Sequence, residues 1–169
     1  MYQSVKLRVK MSENVSSTVK HQVEEGVFVG TYVHALDPKR RLTIPSPWRD
    51  RVEGRPSFYV LPDVDERCLC VFSGREMSRR LESVGHHSIV DRKARQFARV
   101  LASRSDLVDW DSQGRIRIKD ELLDYAGIKG TATLVGNFRF FEVWNPDLLK
   151  KSGVLDGTDV GDAVRHVGF

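Results

Sequence analysis

The amino-acid sequence predicts an α+β fold built from two pseudo-symmetric β-rich units that are joined by helices. Three observations lead to this prediction: a charged turn recurs once along the chain, apolar runs typical of strands follow both copies, and an amphipathic segment separates them. The 169 residues suffice for one compact domain or for two small units with a common core. Since each unit alone would bury little surface, we expect the two units to share strands.

The charged turn is the clearest repeat in the chain. Residues 36–44, LDPKRRLTI, align with residues 110–118, WDSQGRIRI, at an offset of 74. Both copies contain Asp-x-x-x-Arg followed by alternating apolar residues, and similarity at a fixed offset is typical of internal duplication. Each copy therefore predicts a turn between two short strands. Residues 27–29, ahead of the first copy, have strand character, so we expect the ordered part to begin there.

A short helix is predicted directly after each turn. At the same offset Ser46 aligns with Asp120, and both residue types are favoured at helix N-caps. We expect helices over residues 47–52 and 121–126. Pro47 would then occupy the first helical position, where its missing N–H costs nothing.

Two further strands are predicted in each unit. Residues 58–61 align with residues 132–135, and residues 68–73 align with residues 140–145 at an offset of 72. Their β-branched and aromatic side chains favour strands. Each unit therefore contains four predicted strands, with the charged turn between the first and the second.

Two more helices are predicted between the repeats. Ser73 and Glu76 fit a capping box, which indicates a helix start. A linker helix is expected over residues 90–103, because apolar residues recur there at helical spacing on one face; they are Val90, Ala94, Phe97 and Leu101. For the arginines on another face of this helix, a solvated surface is favoured over DNA contact, and subunit contacts are an alternative.

These elements predict the organisation of the chain. The expected segments are a flexible extension over residues 1–26, a first unit over 27–84, a linker helix over 85–105, a second unit over 106–152 and a flexible tail over 153–169.

Composition and motifs exclude several classes of protein. The net charge is +4, and residues 75–104 contain eight basic and three acidic side chains, which permits a polyanionic partner. No apolar run reaches the ~18 residues of a membrane span, and no secretory signal is recognised. Cys68 and Cys70 are predicted to be buried core thiols in a reduced, cytoplasmic setting, because they are badly placed to bridge each other and too few to form a zinc site. Nucleotide-binding and hydrolase motifs are missing, so we expect no enzyme, metal, cofactor or small-molecule substrate.

Two Asp-x-x-x-Arg turns with the same flanking strands and helices are far more specific than one. Together with the strand at 134–136 and its partner at 141–144, they resemble the MraZ family, whose two units have the SpoVT-AbrB type of swapped-hairpin, barrel-like DNA-binding fold. The resemblance covers about residues 27–150. It implies a bacterial transcriptional regulator that forms a ring-shaped homo-oligomer. Such a regulator would act at the nucleoid and bind G-rich direct repeats of double-stranded DNA near the promoter of a cell-division and cell-wall gene cluster.

The resemblance implies that the Asp-x-x-x-Arg turns read DNA, which points to Asp37 and Arg41 and to Asp111 and Arg115. From the charges of the turns and of the strands after them, the predicted DNA-contact residues are Lys39, Arg40, Arg41, Gln113, Arg115 and Arg117. Arginine can donate two hydrogen bonds to guanine, whereas lysine neutralises a phosphate as a point charge. Because phosphates repel carboxylates, Asp37 and Asp111 are expected to brace the turns instead, by accepting from backbone N–H groups or by pairing with the arginine four residues later. The first turn, with three consecutive cations, is expected to dominate binding.

The first turn departs from the family at Arg40, where glycine is common and where the second copy has Gly114. A non-glycine residue at positive φ costs about 1–2 kcal/mol, so this turn either differs in shape or tolerates strain. We hypothesise that Arg40 adds a phosphate contact. Two rival functions remain: an antitoxin-like protein-interaction module of the same fold, and an enzyme that uses the Asp–Arg pairs on a phosphorylated substrate. A deep pocket that joins both turns would support the enzyme.

Overall fold

The computed structural model describes residues 28–52, 57–88, 91–156, 161, 164 and 165. The predicted extension over residues 1–26 and the tail beyond residue 156, apart from those three positions, lie outside the described residues. The strands are β1 (Thr31–Ala35), β2 (Arg41–Thr43), β3 (Ser57–Pro62), β4 (Cys68–Ser73), β5 (Asp106–Asp109), β6 (Arg115–Arg117), β7 (Thr131–Asn137) and β8 (Phe140–Trp144).

The helices pack around these strands and connect them. They are α1 (Ser46–Arg49), α2 (Gly74–Ser88), α3 (Arg92–Ser103), α4 (Asp120–Tyr125) and α5 (Pro146–Ser152). The mixed α+β class predicted from the sequence is confirmed. The helix predicted over residues 90–103 corresponds to α3, which begins two residues later, at Arg92, because Asp91 caps it by accepting the backbone N–H of Lys93 at 2.9 Å.

The strands form two antiparallel sheets. The larger sheet has the order β1-β7-β8-β4-β3-β5, and β2 pairs with β6 in a separate two-stranded ladder. β1, from the first copy, pairs with β7 of the second copy, and β5 of the second copy pairs with β3 of the first. Each copy therefore supplies an edge strand to the hairpin of the other, which is the sharing of strands that their small size requires.

Equivalent positions of the two copies face each other in both sheets. In the ladder, Leu42 lies opposite Ile116, which is its equivalent at the offset of 74. In the larger sheet, Cys70 lies opposite Glu142, its equivalent at the offset of 72. By the repeat, β1, β3 and β4 of the first copy correspond to β5, β7 and β8 of the second. When each strand is exchanged for its counterpart, the order of the larger sheet is simply reversed.

The ladder packs onto the larger sheet through a common apolar core. Leu42 and Ile116 are fully buried in the same cluster as Phe141 of β8. Trp48 of α1 is also fully buried; its ring centroid lies 5.1 Å from that of Phe141, and its indole N–H donates to the carbonyl of Val29 at 2.8 Å. The inner face of the ladder therefore packs on this core, and its opposite face points toward solvent.

Several element boundaries differ from the sequence-based prediction. Helices α1 and α4 begin one residue earlier than expected, so Pro45 and Lys119, not Ser46 and Asp120, are the N-caps, and neither caps with its side chain. The extended backbone of the ladder strands continues through both cap residues, at φ −54° for Pro45 and φ −60° for Lys119, and thereby sets where each helix begins. α1 ends at Arg49, not at residue 52.

Two smaller expectations have mixed outcomes. Phe28 forms only an isolated bridge with Phe138, and the first strand begins at Thr31. The Ser73 hydroxyl accepts the backbone N–H of Glu76 at 3.3 Å, as a capping box requires, but the Glu76 carboxylate accepts from Arg79 and Arg80 further along α2.

Candidate nucleic-acid interface

The outer face of the β2–β6 ladder is a short basic strip. Because Leu42 and Ile116 face the core, strand alternation directs their neighbours to the opposite side. Arg41 lies opposite Arg117 and Thr43 opposite Arg115 in the register. The structure thus brings together three of the six residues for which DNA contacts were predicted, although they come from both copies.

The two turns before these strands have the same hydrogen bonds. In the first, Asp37 Oδ1 accepts the backbone N–H groups of Lys39 and Arg41, both at 2.9 Å. In the second, Asp111 Oδ1 accepts those of Gln113 at 2.9 Å and Arg115 at 3.0 Å. One oxygen of each carboxylate therefore holds the backbone, while the other oxygen is available for a side chain.

Those second oxygens join the two turns in a four-residue cluster, Asp37, Arg41, Asp111 and Arg115, which we call the charge ring. Arg41 Nε donates to Asp37 Oδ2 at 2.6 Å, and Arg115 Nε donates to Asp111 Oδ2 at 2.9 Å. Each guanidinium Nη1 also lies 3.7 Å from the aspartate of the other turn. The ring has no net charge, and its side chains are between 22% and 32% exposed.

Both aspartates of the charge ring have a lowered pKa. At Asp111, the hydrogen bond from the Arg115 guanidinium is the main cause; partial desolvation opposes it, backbone N–H donors assist, and the pKa is about 2. At Asp37, partial desolvation acts to raise the pKa, but the backbone N–H and guanidinium of Arg41 and the Lys39 N–H together outweigh it. Both carboxylates are therefore ionised at neutral pH.

Arg40 has the same backbone conformation as its glycine counterpart. Its φ is +60°, compared with +73° at Gly114, so the first turn keeps its shape and accepts the strain of a non-glycine residue, about 1–2 kcal/mol. The Arg40 side chain crosses to the second copy, where Nη1 donates to the carbonyl of Lys129 at 3.3 Å and Nε lies 3.5 Å from Asp120 Oδ1. It remains 42% exposed, so its hypothesised phosphate contact stays a prediction.

Arg49 supports the second turn and was not found from the sequence. It extends from α1 of the first copy, where Nη1 donates to the carbonyl of Gln113 at 3.2 Å and Nη2 donates to the Ser46 hydroxyl at 2.8 Å. A Cβ at Gly114 would collide with Arg49 Cδ, so a larger residue there would displace the Arg49 side chain in addition to paying the cost of its φ. The equivalent of Arg49 in the repeat is Leu123, so comparison of the two copies gives no signal for this contact.

Lys39 and Arg117 complete the strip. Within the ranges that the structure describes, neither side chain has an acidic partner, and both residues are exposed. They are the cations of this surface whose charge is not balanced locally. Gln113 is exposed at the tip of the second turn, at the other end of the ladder, with its carbonyl held by Arg49.

Other candidate sites lie away from the strip. A cavity of about 260 Å³ between the end of α3, the end of β3 and α4 is lined by residues that include Lys119, Glu121 and Tyr125, and no member of the charge ring lines it. Cys68 and Cys70 are buried free thiols, as predicted; a hydrogen bond with Cys68, burial and the nearby Asp63 all raise the pKa of Cys70.

In the described part of the chain, no three His, Cys, Asp or Glu residues are grouped as a metal ion would require. None of the helices described is both long enough and apolar enough to cross a membrane.

The chain is similar in sequence to curated proteins that are named transcriptional regulator MraZ. The chain is 36% identical over 121 residues to the transcriptional regulator MraZ of Thermomicrobium roseum, which covers 72% of this chain and 83% of that protein. It is 37% identical over 123 residues to the protein of the same name from Micrococcus luteus, covering 72% and 82%. The match to the one from Corynebacterium urealyticum is 33% identical over 145 residues and covers 85% and 99%. No protein-family model matches the chain.

The contact between Arg49 and Gly114 predicts a coupled effect on stability. Gly114→Ala should lower the free energy of unfolding by more than the ~1–2 kcal/mol for positive φ alone, because the new methyl group displaces the Arg49 side chain. In an Arg49→Ala background, the effect of Gly114→Ala should fall toward the φ cost. Denaturant unfolding of the four proteins of this double-mutant cycle measures the coupling. Gly153→Ala is the matched control, because Gly153 has φ +68° and a Cβ added there would meet no atom within 4 Å. Equal effects of Gly114→Ala in both backgrounds would contradict the contact.

The lowered pKa values predict how stability depends on pH. A carboxyl whose pKa is lower in the folded state stabilises the fold above its unfolded pKa, ~3.9, and this contribution disappears as the pH falls through the folded pKa. For Asp111 the loss should occur between about pH 4 and pH 2. Asp111→Asn should therefore have a lower Tm than the unsubstituted protein at pH 6, and the difference should shrink as the pH approaches 2. Thermal unfolding across this range tests the prediction, with the exposed turn residue Asp65→Asn as control; a Tm difference independent of pH would refute it.

Proposed function

This chain belongs to the MraZ family of transcriptional regulators, and on that premise we propose that it is a sequence-specific DNA-binding regulator whose contacts come from the β2–β6 ladder and its turns. The observation that carries the proposal is the pairing of β2 with β6, which assembles cations from both copies on one solvent-facing strip. A two-stranded ribbon of this kind fits the major groove of B-DNA, where base edges are accessible.

Each predicted contact residue receives a role. Lys39 and Arg117, which have no acidic partner among the described residues, neutralise phosphates, and Arg40 adds a further phosphate contact from the first turn. Arg41 and Arg115 read guanine, because the charge ring holds each guanidinium in a fixed orientation. Gln113 contacts DNA at the tip of the second turn. Both turns therefore take part, and the first contributes more positive charge.

We further propose that the two copies are SpoVT-AbrB-like units related by an approximate two-fold axis. The facing of Leu42 with Ile116, and of Cys70 with Glu142, supports this arrangement. The exchange of β1 and β5 between the hairpins of the two copies is what a swapped-hairpin fold would contain.

The proposal extends to a ring of identical subunits. The exposed apolar residues of α3 support it: Phe97 is 62% and Val100 is 50% exposed, and none of the described residues of α3 is buried. Exposed apolar surface of this kind marks interaction sites. A ring would present the basic strip repeatedly, so that G-rich direct repeats about one helical turn apart bind neighbouring subunits with avidity. We place its target near the promoter of a cell-division and cell-wall gene cluster, so that the protein would act in the cytoplasm at the nucleoid.

DNA binding and its salt dependence test the principal claim. The protein should bind DNA from upstream of its own gene, with its G-rich repeats, more tightly than a shuffled duplex in fluorescence anisotropy. Lys39→Ala should weaken binding to both duplexes alike and reduce the slope of log K against log salt by about one unit, because one phosphate contact is lost. Lys150→Ala, an exposed lysine on α5, is the control. Equal affinity of the unsubstituted protein for both duplexes would refute sequence-specific binding and favour the protein-interaction module.

Oligomer formation is tested separately at α3. Phe97→Asp introduces a charge into the exposed apolar face, so it should lower the mass of the particle measured by light scattering. Val64→Asp, in the turn between β3 and β4, is the matched control, because Val64 is also exposed but lies outside α3. An unchanged mass for Phe97→Asp would exclude this face of α3 as the subunit contact.

A further inference from the structure

We propose that Asp37 and Asp111 determine the specificity of DNA binding by neutralising Arg41 and Arg115 toward phosphates while leaving part of each guanidinium free to read bases. The inference rests on the proposed DNA binding and gives the two carboxylates a role beyond bracing their turns.

The distances in the charge ring support the first half of this proposal. Asp37 Oδ2 lies 2.6 Å from both Nε and Nη2 of Arg41, and Asp111 Oδ2 lies 2.9 Å and 2.6 Å from the same atoms of Arg115. A cation paired at this distance displaces few counterions when it approaches DNA. Because release of counterions drives sequence-independent binding, the ring suppresses affinity for DNA that lacks the target sequence.

The free donors of the ring support the second half. A guanidinium has five N–H donors, and the paired carboxylate engages Nε and Nη2. Nη1 of each arginine lies 3.7 Å from the opposite aspartate, which is beyond hydrogen-bond distance. Hydrogen-bond donors keep their direction when the net charge of the pair is zero, so each arginine can still donate to the edge of a base.

The register of the ladder explains why Asp37 and Asp111 lie beside the arginines of the strip. Arg41 lies directly opposite Arg117, and like charges at opposite positions of an antiparallel pair repel each other. With Asp37 and Asp111 ionised, the surplus of positive charge on the strip comes from Lys39 and Arg117, and Arg40 is partly balanced by Asp120 at 3.5 Å. Because the carboxylates neutralise Arg41 and Arg115 but not Lys39 and Arg117, the residues that read bases are not the ones that attract DNA of any sequence.

Asp37→Asn tests the inference, because asparagine keeps an oxygen for the backbone N–H groups of Lys39 and Arg41 while losing the charge. In anisotropy titrations against a shuffled duplex, we expect affinity to rise roughly fivefold to tenfold at 0.1 M salt, and the salt slope to steepen by about one unit, as one more cation becomes free. Affinity for the G-rich repeats should rise less, so the ratio of the two affinities falls. Asp111→Asn should behave in the same way.

The controls separate this role from simple bracing and from a general effect of charge. Asp65→Asn changes the net charge equally but lies in the turn between β3 and β4, away from the charge ring, so it should leave the shuffled-duplex affinity nearly unchanged. Shuffled-duplex affinities of the two ring variants no higher than that of Asp65→Asn, with both variants folded at the assay temperature, would overturn the inference and leave the proposed function intact. Loss of folding in both ring variants would assign the carboxylates to stability alone and also overturn it. Failure of the unsubstituted protein to bind either duplex would instead refute the proposed function.

Discussion

The antiparallel pairing of β2 with β6 is the constraint on which the rest of the molecule depends. It is only three residue pairs long, but its central pair, Leu42 and Ile116, is fully buried against the larger sheet. A shift of one residue would expose these side chains and bury arginines, so burial of the apolar pair specifies the register strongly. That register also determines which charged residues meet on the outer face. The apolar core and the basic strip are therefore two consequences of the same alternation.

The two copies have diverged where each turn contacts the other half of the chain. The first turn uses Arg40, which accepts a left-handed backbone conformation and extends to Lys129 and Asp120. The second turn keeps Gly114 and is supported from outside by Arg49. In both turns the support crosses from one copy to the other. Neither turn is consequently an independent loop, since Arg49 of α1 contacts the second turn and Asp120 of α4 contacts the first.

Much of the fold was predictable from the sequence, because the repeat offset and the strand alternation are local patterns. The α+β class, the strand after each turn and the end of α3 follow from such patterns. Sharing of strands between the copies was expected from their small size, but the particular partners of β1 and β5 were not, since nothing local distinguishes pairing within a copy from pairing between copies. The bonds of Asp37 and Asp111 were anticipated within each turn, but their approach to the opposite arginine depends on the ladder. Arg49 had no signal, because its contact spans 64 residues and its counterpart is a leucine.

The exchange of β1 and β5 has a consequence for the ancestry of the chain. A polypeptide with one copy alone would lack the hairpin that its first strand completes, unless a second chain supplied that hairpin. Duplication and fusion of a gene for one copy would place both copies in one polypeptide, where their sequences could diverge independently. Under that history, a glycine could persist in one turn while an arginine evolved in the other.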